Sequence, residues 1–336
     1  MPEPDPTSLR GLRLGFVGPI SADSFADNLG EAARSLGATV VLLGSATPRT
    51  RMGPPQLISL ASRSRSLVAA WQKRLVDRAE GLDIILAVEP TLAPDAVAAL
   101  RSHGAAVALW FPDAVSNIGR QFAFAAPYSL VCFKEPRFVD RANALLDLPI
   151  RLLHEGCNPA WHHAPESEPS HQDVIVVAGN LYPWRVALLE RLVKADVPIR
   201  LYGSPPSSWI KGPIRAIHTN EYIARGRKAE IFRSAAAVLN NLHPAEIDGV
   251  NNRLFEASAC GALVITEDRR LLPSLFKVGS EVLCFADFDE LVDRCRWALA
   301  HPEEGRRIGA AAAARAHSDH TLQHRLTDLV GWLGVR

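Results

Sequence analysis

The sequence predicts an α/β protein of two doubly wound, parallel-sheet domains, and three observations lead there. The chain has 336 residues, more than one ordinary hydrophobic core holds and enough for two. Short continuous apolar runs, the pattern of strands buried on both faces, alternate with amphipathic stretches from Leu12 almost to the end. The alternation breaks at 162–172 (HHAPESEPSHQ), a polar stretch with two prolines, and then restarts.

Residues 1–10, Pro-rich and acidic, read as a disordered lead-in and not as a signal or transit peptide. Over 11–161 the runs LRLGFVG, ATVVLLG, DIILAVE, AAVALWF, SLVCFKE and IRLLHEG predict six strands, rich in Val, Ile, Leu and Phe. Helical patterns over 24–36, 66–79, 94–102 and 136–146 lie between them. Strand–helix alternation at this length is the signature of a Rossmann-like, doubly wound domain. With 162–172 as linker, a second such domain over 173–316 carries the strands DVIVVAG, PIRLYGS, AAAVLNNL, ALVITED and EVLCFAD. A C-terminal helical segment, 317–336, is expected to return towards the first domain.

Composition narrows the function. Apolar residues make up 48% of the chain and charged residues 22%, with a formal net charge of +1. Near-neutrality gives no electrostatic case for nucleic acid or an acidic membrane as partner. Two local basic clusters are noted, Arg63 with Arg65 and the run Arg225, Arg227, Lys228. No stretch approaches the roughly 20 apolar residues of a membrane span, so no membrane insertion is expected. Five scattered cysteines (Cys132, Cys157, Cys260, Cys284, Cys295) share no C-x-x-C spacing. They predict a reducing, cytoplasmic location without disulfides or structural zinc.

The chemistry concentrates at 235–268. A buried strand ends near Leu242, a loop containing Pro and Gly follows, and a helix begins near Asn251 or Asn252. Asn is a favoured cap, and the first-turn amides beyond it are unpaired. A loop and helix start at the carboxyl edge of a parallel sheet form an anion site. Glu256, just over one turn into that helix, is placed to reach hydroxyls of a ligand whose phosphates sit at the helix end. Asp248 lies eight positions earlier.

An acid, seven residues and a second acid, then small residues and Cys-Gly before an apolar strand, resemble the E-x7-E region of retaining GT-B glycosyltransferases. The string GVNNRLFEASACGALVITED, with FKVGSEVLCFADFDEL and HTLQHR, is similar to a narrower group, the spore-maturation-protein-like (CgeB-like) glycosyltransferases. The resemblance covers roughly 174–325 and is weak in the N-terminal half. It implies the GT-B fold, a nucleotide-diphosphate sugar as donor (UDP, dTDP or GDP undecided) and no separate cofactor. In such enzymes the second acid holds the nucleotide ribose and the first contacts the sugar, roles that fall on Glu256 and Asp248, with Gly249 beside the latter. Here the first acid is Asp. The Gly-Arg that follows the first strand in relatives is Gly179-Asn180, so the diphosphate falls to Arg185, with Arg253 as second cation and amides near Asn251 and Asn252. Arg suits that task because its fork binds two phosphate oxygens at once. The segment 217–222, including Tyr222, is expected near the base. Retention of anomeric configuration is also implied by the resemblance alone.

The N-terminal domain is expected to hold the acceptor, a small molecule, glycan or protein that the sequence does not identify. Gly18, after the first strand, lacks the full G-x-G-x-x-G fingerprint. Trp110-Phe111-Pro112-Asp113 stands where relatives commonly show His-Asp, which makes Asp113 the candidate for orienting the acceptor hydroxyl. His162 and His163 fall in the expected linker, and Asp287-Phe288-Asp289 opens a helix, where acids serve as caps. Metal-independent transfer is therefore expected. Plain structural roles compete throughout: a solvated helix acid for Glu256, a turn former for Asp248, a Glu190 ion pair for Arg185, a cap for Asp113. Two rival functions remain at this point. A GT-B epimerase would need an acid–base set near the sugar C2, and a decayed scaffold protein is favoured by Asn180 and Pro112 but opposed by the Asp248/Glu256 pair.

Overall fold

The computed structural model describes residues 4–48, 64–117 and 122–335; Arg63 of the first basic cluster lies outside them. The chain divides into two compact units, one running to His154 and including the segment from Leu322 onward, the other Glu155–Thr321.

In the first unit, β1 (Arg13–Val17), β2 (Thr39–Gly44), β3 (Ile84–Ala87), β4 (Ala106–Phe111), β5 (Leu130–Phe133) and β6 (Ile150–Leu152) form one sheet. The order is β2-β1-β3-β4-β5-β6, every pairing parallel. Helices α1 (Phe25–Ser35), α2 (Arg65–Arg78), α3 (Pro94–Ser102), α4 (Phe122–Ala125) and α5 (Pro136–Leu145) connect them. The continuous apolar runs follow from burial on both faces. Val107 and Leu109 of β4 enter one core cluster, while Ala108 and Trp110 enter the other. Trp110 meets Phe25 of α1 edge to face, ring centroids 5.0 Å apart. Each such fully buried large side chain contributes about 1.5–3 kcal/mol.

The second unit holds β7 (Gln172–Ala178), α6 (Pro183–Lys194), β8 (Ile199–Tyr202), α7 (Gly212–Ala216), α8 (Arg225–Ser234), β9 (Ala235–Asn240), α9 (Asn252–Ala259), β10 (Val264–Glu267), α10 (Leu272–Leu275), β11 (Leu283–Phe285), α11 (Phe288–Ala300) and α12 (Pro302–Asp319). Its parallel sheet is ordered β11-β10-β9-β7-β8. Strand order reverses between β7 and β9, which opens a crevice at their carboxyl ends. Asp287 caps α11 by accepting the Glu290 N–H at 2.9 Å, the role expected of it. Helix α12 packs on α9, and its glycines permit the approach. A Cβ on Gly309 would stand 2.3 Å from the Gly261 carbonyl oxygen.

Three expectations change. The lead-in is not disordered throughout: Leu9 is buried in the first core and its N–H donates to Leu36 O at 3.0 Å, because an apolar residue beside the α1 terminus gains more from burial than from solvent. The unit boundary falls at 154/155, ahead of the polar stretch. His162, assigned to the linker, is fully buried in the second unit, Nδ1 accepting the Asn158 N–H at 3.0 Å. The C-terminal residues form α13 (Leu322–Leu333), whose Leu322, Leu326, Leu329 and Val330 lie in the core of the first unit against α1. No disulfide joins any of the five cysteines; burial pushes the Cys295 thiol up to about 12. Among the described residues no helix is long and apolar enough to cross a membrane.

Candidate functional site

The crevice between β7 and β9 is built from a glycine turn. At the end of β7, Gly179 has φ +121°, a conformation that side chains oppose. Its N–H donates to Tyr202 O at 2.9 Å. A Cβ there would meet Arg185 NH1 at 3.2 Å and Arg253 NH2 at 3.5 Å. Two guanidinium groups from different helices therefore converge on one bare backbone position.

Arg185 reaches it from the first turn of α6, which Pro183 opens. The side chain is buried, so its hydrogen bonds are obligatory. Nε donates to Asn241 Oδ1 at 2.8 Å, NH2 to Asn241 O at 3.2 Å, and NH1 to Asn180 O at 2.7 Å. The guanidinium also lies 4.8 Å from the Tyr182 ring centroid. Burial lowers its pKa, with the Arg253 charge acting in the same direction. The Glu190 pairing is thus replaced by a fixed cradle after β9, in which the Tyr182 hydroxyl donates to Leu242 O at 2.9 Å.

Arg253 rises from the start of α9. Asn251 occupies its N-cap position with an extended backbone, and its side chain makes no cap hydrogen bond. Glu256 is buried, not a solvated helix acid. Its Oε2 accepts from Arg253 NH1 at 2.9 Å, and Oε1 accepts from Asn252 Nδ2 at 2.9 Å. Lys228 Nζ of α8 lies 3.1 Å from Oε1, and His162 Nε2 lies 3.9 Å away. Lys228, His162 and Asn241 were not among the sequence candidates.

The second basic cluster divides: Arg225 and Arg227 are exposed, and Lys228 is buried. Arg225 stacks 4.1 Å over the Trp161 ring, Arg227 pairs with Glu221 and Glu230, and Lys228 turns inward.

The remaining candidates lie around or apart from this centre. Asp248 and Gly249 are buried in the loop before α9, and Asp248 O accepts the Leu271 N–H at 3.3 Å. The segment 217–222 is bonded alongside β8: Leu201 N–H donates to Ile217 O at 3.0 Å and Gly203 N–H to Glu221 O at 2.8 Å. Tyr222 at its end is exposed. His218 accepts the Asn220 N–H on Nδ1 at 2.9 Å, and burial lowers its pKa. Asp113 and Gly18 belong to the first unit. Asp113 is exposed and accepts the Ala114 N–H on Oδ1 at 2.9 Å. Gly18 is packed so tightly that a Cβ would stand 2.3 Å from Val88 Cγ2. A separate cavity of about 300 Å³ between α6 and α11 is lined by Trp184, Arg191, Glu267, Arg269 and Phe288 among others.

Residues 185–331 match a protein family described as glycosyl transferase-like, a span that contains Arg185, Asp248, Arg253 and Glu256. None of the curated proteins matches the sequence. Among solved structures the chain is similar to sucrose-phosphate synthase of Thermosynechococcus elongatus, at 14% identity and a TM-score of 0.63, covering 96% of this chain and 99% of that one. It is similar to Anabaena HepE in complex with UDP, at 13% identity and a TM-score of 0.66, covering 96% and 100%. A glycosyltransferase from Rickettsia africae matches at 12% identity and a TM-score of 0.62, covering 96% and 98%. At these identities the likeness shows a common fold, the GT-B architecture of two Rossmann-like domains. The family match begins at Arg185 in the second unit and runs on into α13 of the first.

Proposed function

We propose that the chain is a glycosyltransferase that takes a sugar from a nucleotide-diphosphate sugar and passes it to a hydroxyl-bearing acceptor. The observation that carries this reading is the convergence of Arg185 and Arg253 on Gly179, with Arg253 joined at its other nitrogen to the buried Glu256. A bare glycine backbone flanked by two fixed cations suits a diphosphate, and a carboxylate one guanidinium away suits ribose hydroxyls. Anabaena HepE, of the same fold, is described in complex with UDP and with UDP-glucose, which makes UDP the first nucleotide to test.

In this reading Glu256 holds the ribose, while Arg185, Arg253 and the amides after Asn251 hold the diphosphate. Asp248, beside Gly249, orients the sugar, and Tyr222 lies towards the base. As the bond from the sugar C1 to the phosphate oxygen breaks, charge grows on the diphosphate, where the two guanidinium groups stabilise it without reorganising. The acceptor oxygen bonds to C1 on the same face, and its proton passes to the departing phosphate, so the configuration is retained. With the leaving charge met by side chains and amides, the transfer proceeds without a divalent cation. Asp113 of the first unit is the proposed acceptor-orienting group.

The test is incubation with UDP-glucose and a panel of sugar acceptors, reading released UDP and the anomeric configuration of the product by NMR. Release of UDP with a retained glycosidic linkage, undiminished by EDTA, supports the proposal. An inverted product would refute the same-face step, and release of free sugar alone would mark hydrolysis.

A further inference from the structure

Lys228, with Nζ 3.1 Å from Glu256 Oε1, is a charged group that has no part in the proposed transfer. Helix α8 turns it inward on the same side as Ile231 and Phe232, both core residues. The side chains of Lys228 and Glu256 are each only 6% exposed. Burying an ammonium is costly, and an apolar residue of similar volume in such a place is often neutral or stabilising by comparison. Packing therefore does not account for a lysine here.

The geometry around Glu256 does. Lys228 Nζ approaches Oε1 at 3.1 Å, on the oxygen that also accepts from Asn252 Nδ2. Arg253 meets the opposite oxygen, Oε2, through NH1, while its NH2 faces Gly179. Arg253 is thus shared between the carboxylate and the proposed diphosphate position. When phosphate oxygens draw on Arg253, a carboxylate buried this deeply needs a second counter-charge to stay ionised and in place. Lys228 supplies it from another helix.

We propose that Lys228 is a positioning residue for nucleotide binding: it holds Glu256 ionised and in the orientation that accepts a ribose hydroxyl, while Arg253 turns to the diphosphate. The inference rests on the assignment of Glu256 to the ribose. Lys228 touches neither the sugar nor the reacting atoms, so its effect is transmitted through the carboxylate.

The experiment measures binding of UDP and 2′-deoxy-UDP to the full chain by calorimetry, with GDP and 2′-deoxy-GDP run alongside. Wild type, Lys228→Met, Lys228→Gln, Lys228→Arg, Glu256→Gln and the Lys228→Met/Glu256→Gln double variant are compared. Wild type should favour the ribonucleotide by about tenfold or more, the discrimination of one charge-assisted hydrogen bond. Glu256→Gln should compress that ratio towards one. Lys228→Met and Lys228→Gln should compress it likewise, Lys228→Arg should recover part of it, and the double variant should lose no more than Glu256→Gln. General loosening of the fold would weaken both nucleotides equally and leave the ratio intact. Should Lys228→Met fail to fold, Lys228→Gln, which keeps an uncharged donor, carries the same expectation. A wild-type ratio in the Lys228 variants, with a compressed ratio in Glu256→Gln, would overturn the inference and leave the ribose assignment standing. An unchanged ratio in Glu256→Gln, or no binding of UDP or GDP by wild type, would instead remove the ribose assignment itself.

Discussion

Replacing Arg185 by lysine tests the diphosphate assignment while conserving charge. The guanidinium is engaged at three nitrogens, by Asn241 Oδ1, Asn241 O and Asn180 O. An ammonium carries its donors on one atom and cannot span acceptors set in a fork. At least one buried acceptor then loses its partner, at about 1–3 kcal/mol of stability. Loss of fork geometry towards a phosphate removes one charge-assisted hydrogen bond, about 1.5–3 kcal/mol, or about 10- to 150-fold in the Kd for UDP. Calorimetry with UDP measures this, and ligand-observed NMR with uridine supplies the control. Uridine lacks the phosphates, so its binding should be unchanged. A UDP affinity within threefold of wild type in the folded variant would refute the reasoning, as would equal weakening of uridine.

Gly179→Ala places a Cβ in a strained backbone conformation beside both guanidinium groups; it should cost about 1–3 kcal/mol and weaken UDP binding at least tenfold, and unchanged UDP binding would contradict the site. Leu326→Ala in α13 truncates a fully buried side chain of the first core. It should destabilise that unit by about 2–5 kcal/mol in urea unfolding, and a loss under 1 kcal/mol would show that the C-terminal helix is dispensable. Burial holds His218 below its ordinary value of 6.5, so the unfolded chain takes up the proton first as pH falls. The stability His218 contributes is present above pH 6.5 and lost as pH drops through its folded pKa. His218→Asn should therefore flatten part of the fall in Tm between pH 7 and pH 5, and a slope identical to wild type would refute this.

Much of the architecture was legible because parallel strands buried on both faces leave an unbroken apolar signal. Runs such as AAVALWF and AAAVLNNL suit a strand shielded on both sides and little else at that length, and they became β4 and β9. The placement of Arg185 in the helix after β7 and of Glu256 in the helix after β9 was legible from their positions relative to the apolar runs. Lys228 was not, because the run Arg225, Arg227, Lys228 looks like one solvated basic face. A signal existed: Lys228 precedes Ile231 and Phe232 by three and four positions, which puts it on the apolar stripe of a helix. Asn241 gave less warning, since a lone Asn after a strand says nothing of an Arg 56 residues away. His162 was hidden by its polar neighbours, and its burial depends on a short hydrogen-bonded turn with Asn158. The burial of Leu9 was hidden in the same way, one apolar side chain within ten Pro-rich, acidic residues.

Thermal-shift titration of the full chain with UDP, GDP and dTDP probes the donor site itself, since such a site must recognise a nucleoside diphosphate before any transfer. A ligand at 100 times its Kd adds about 2.7 kcal/mol of apparent stability. A clear rise in Tm is expected with one of the three, and its loss in Glu256→Ala. No rise with any of them would contradict the claim that the crevice at Gly179 is a donor site.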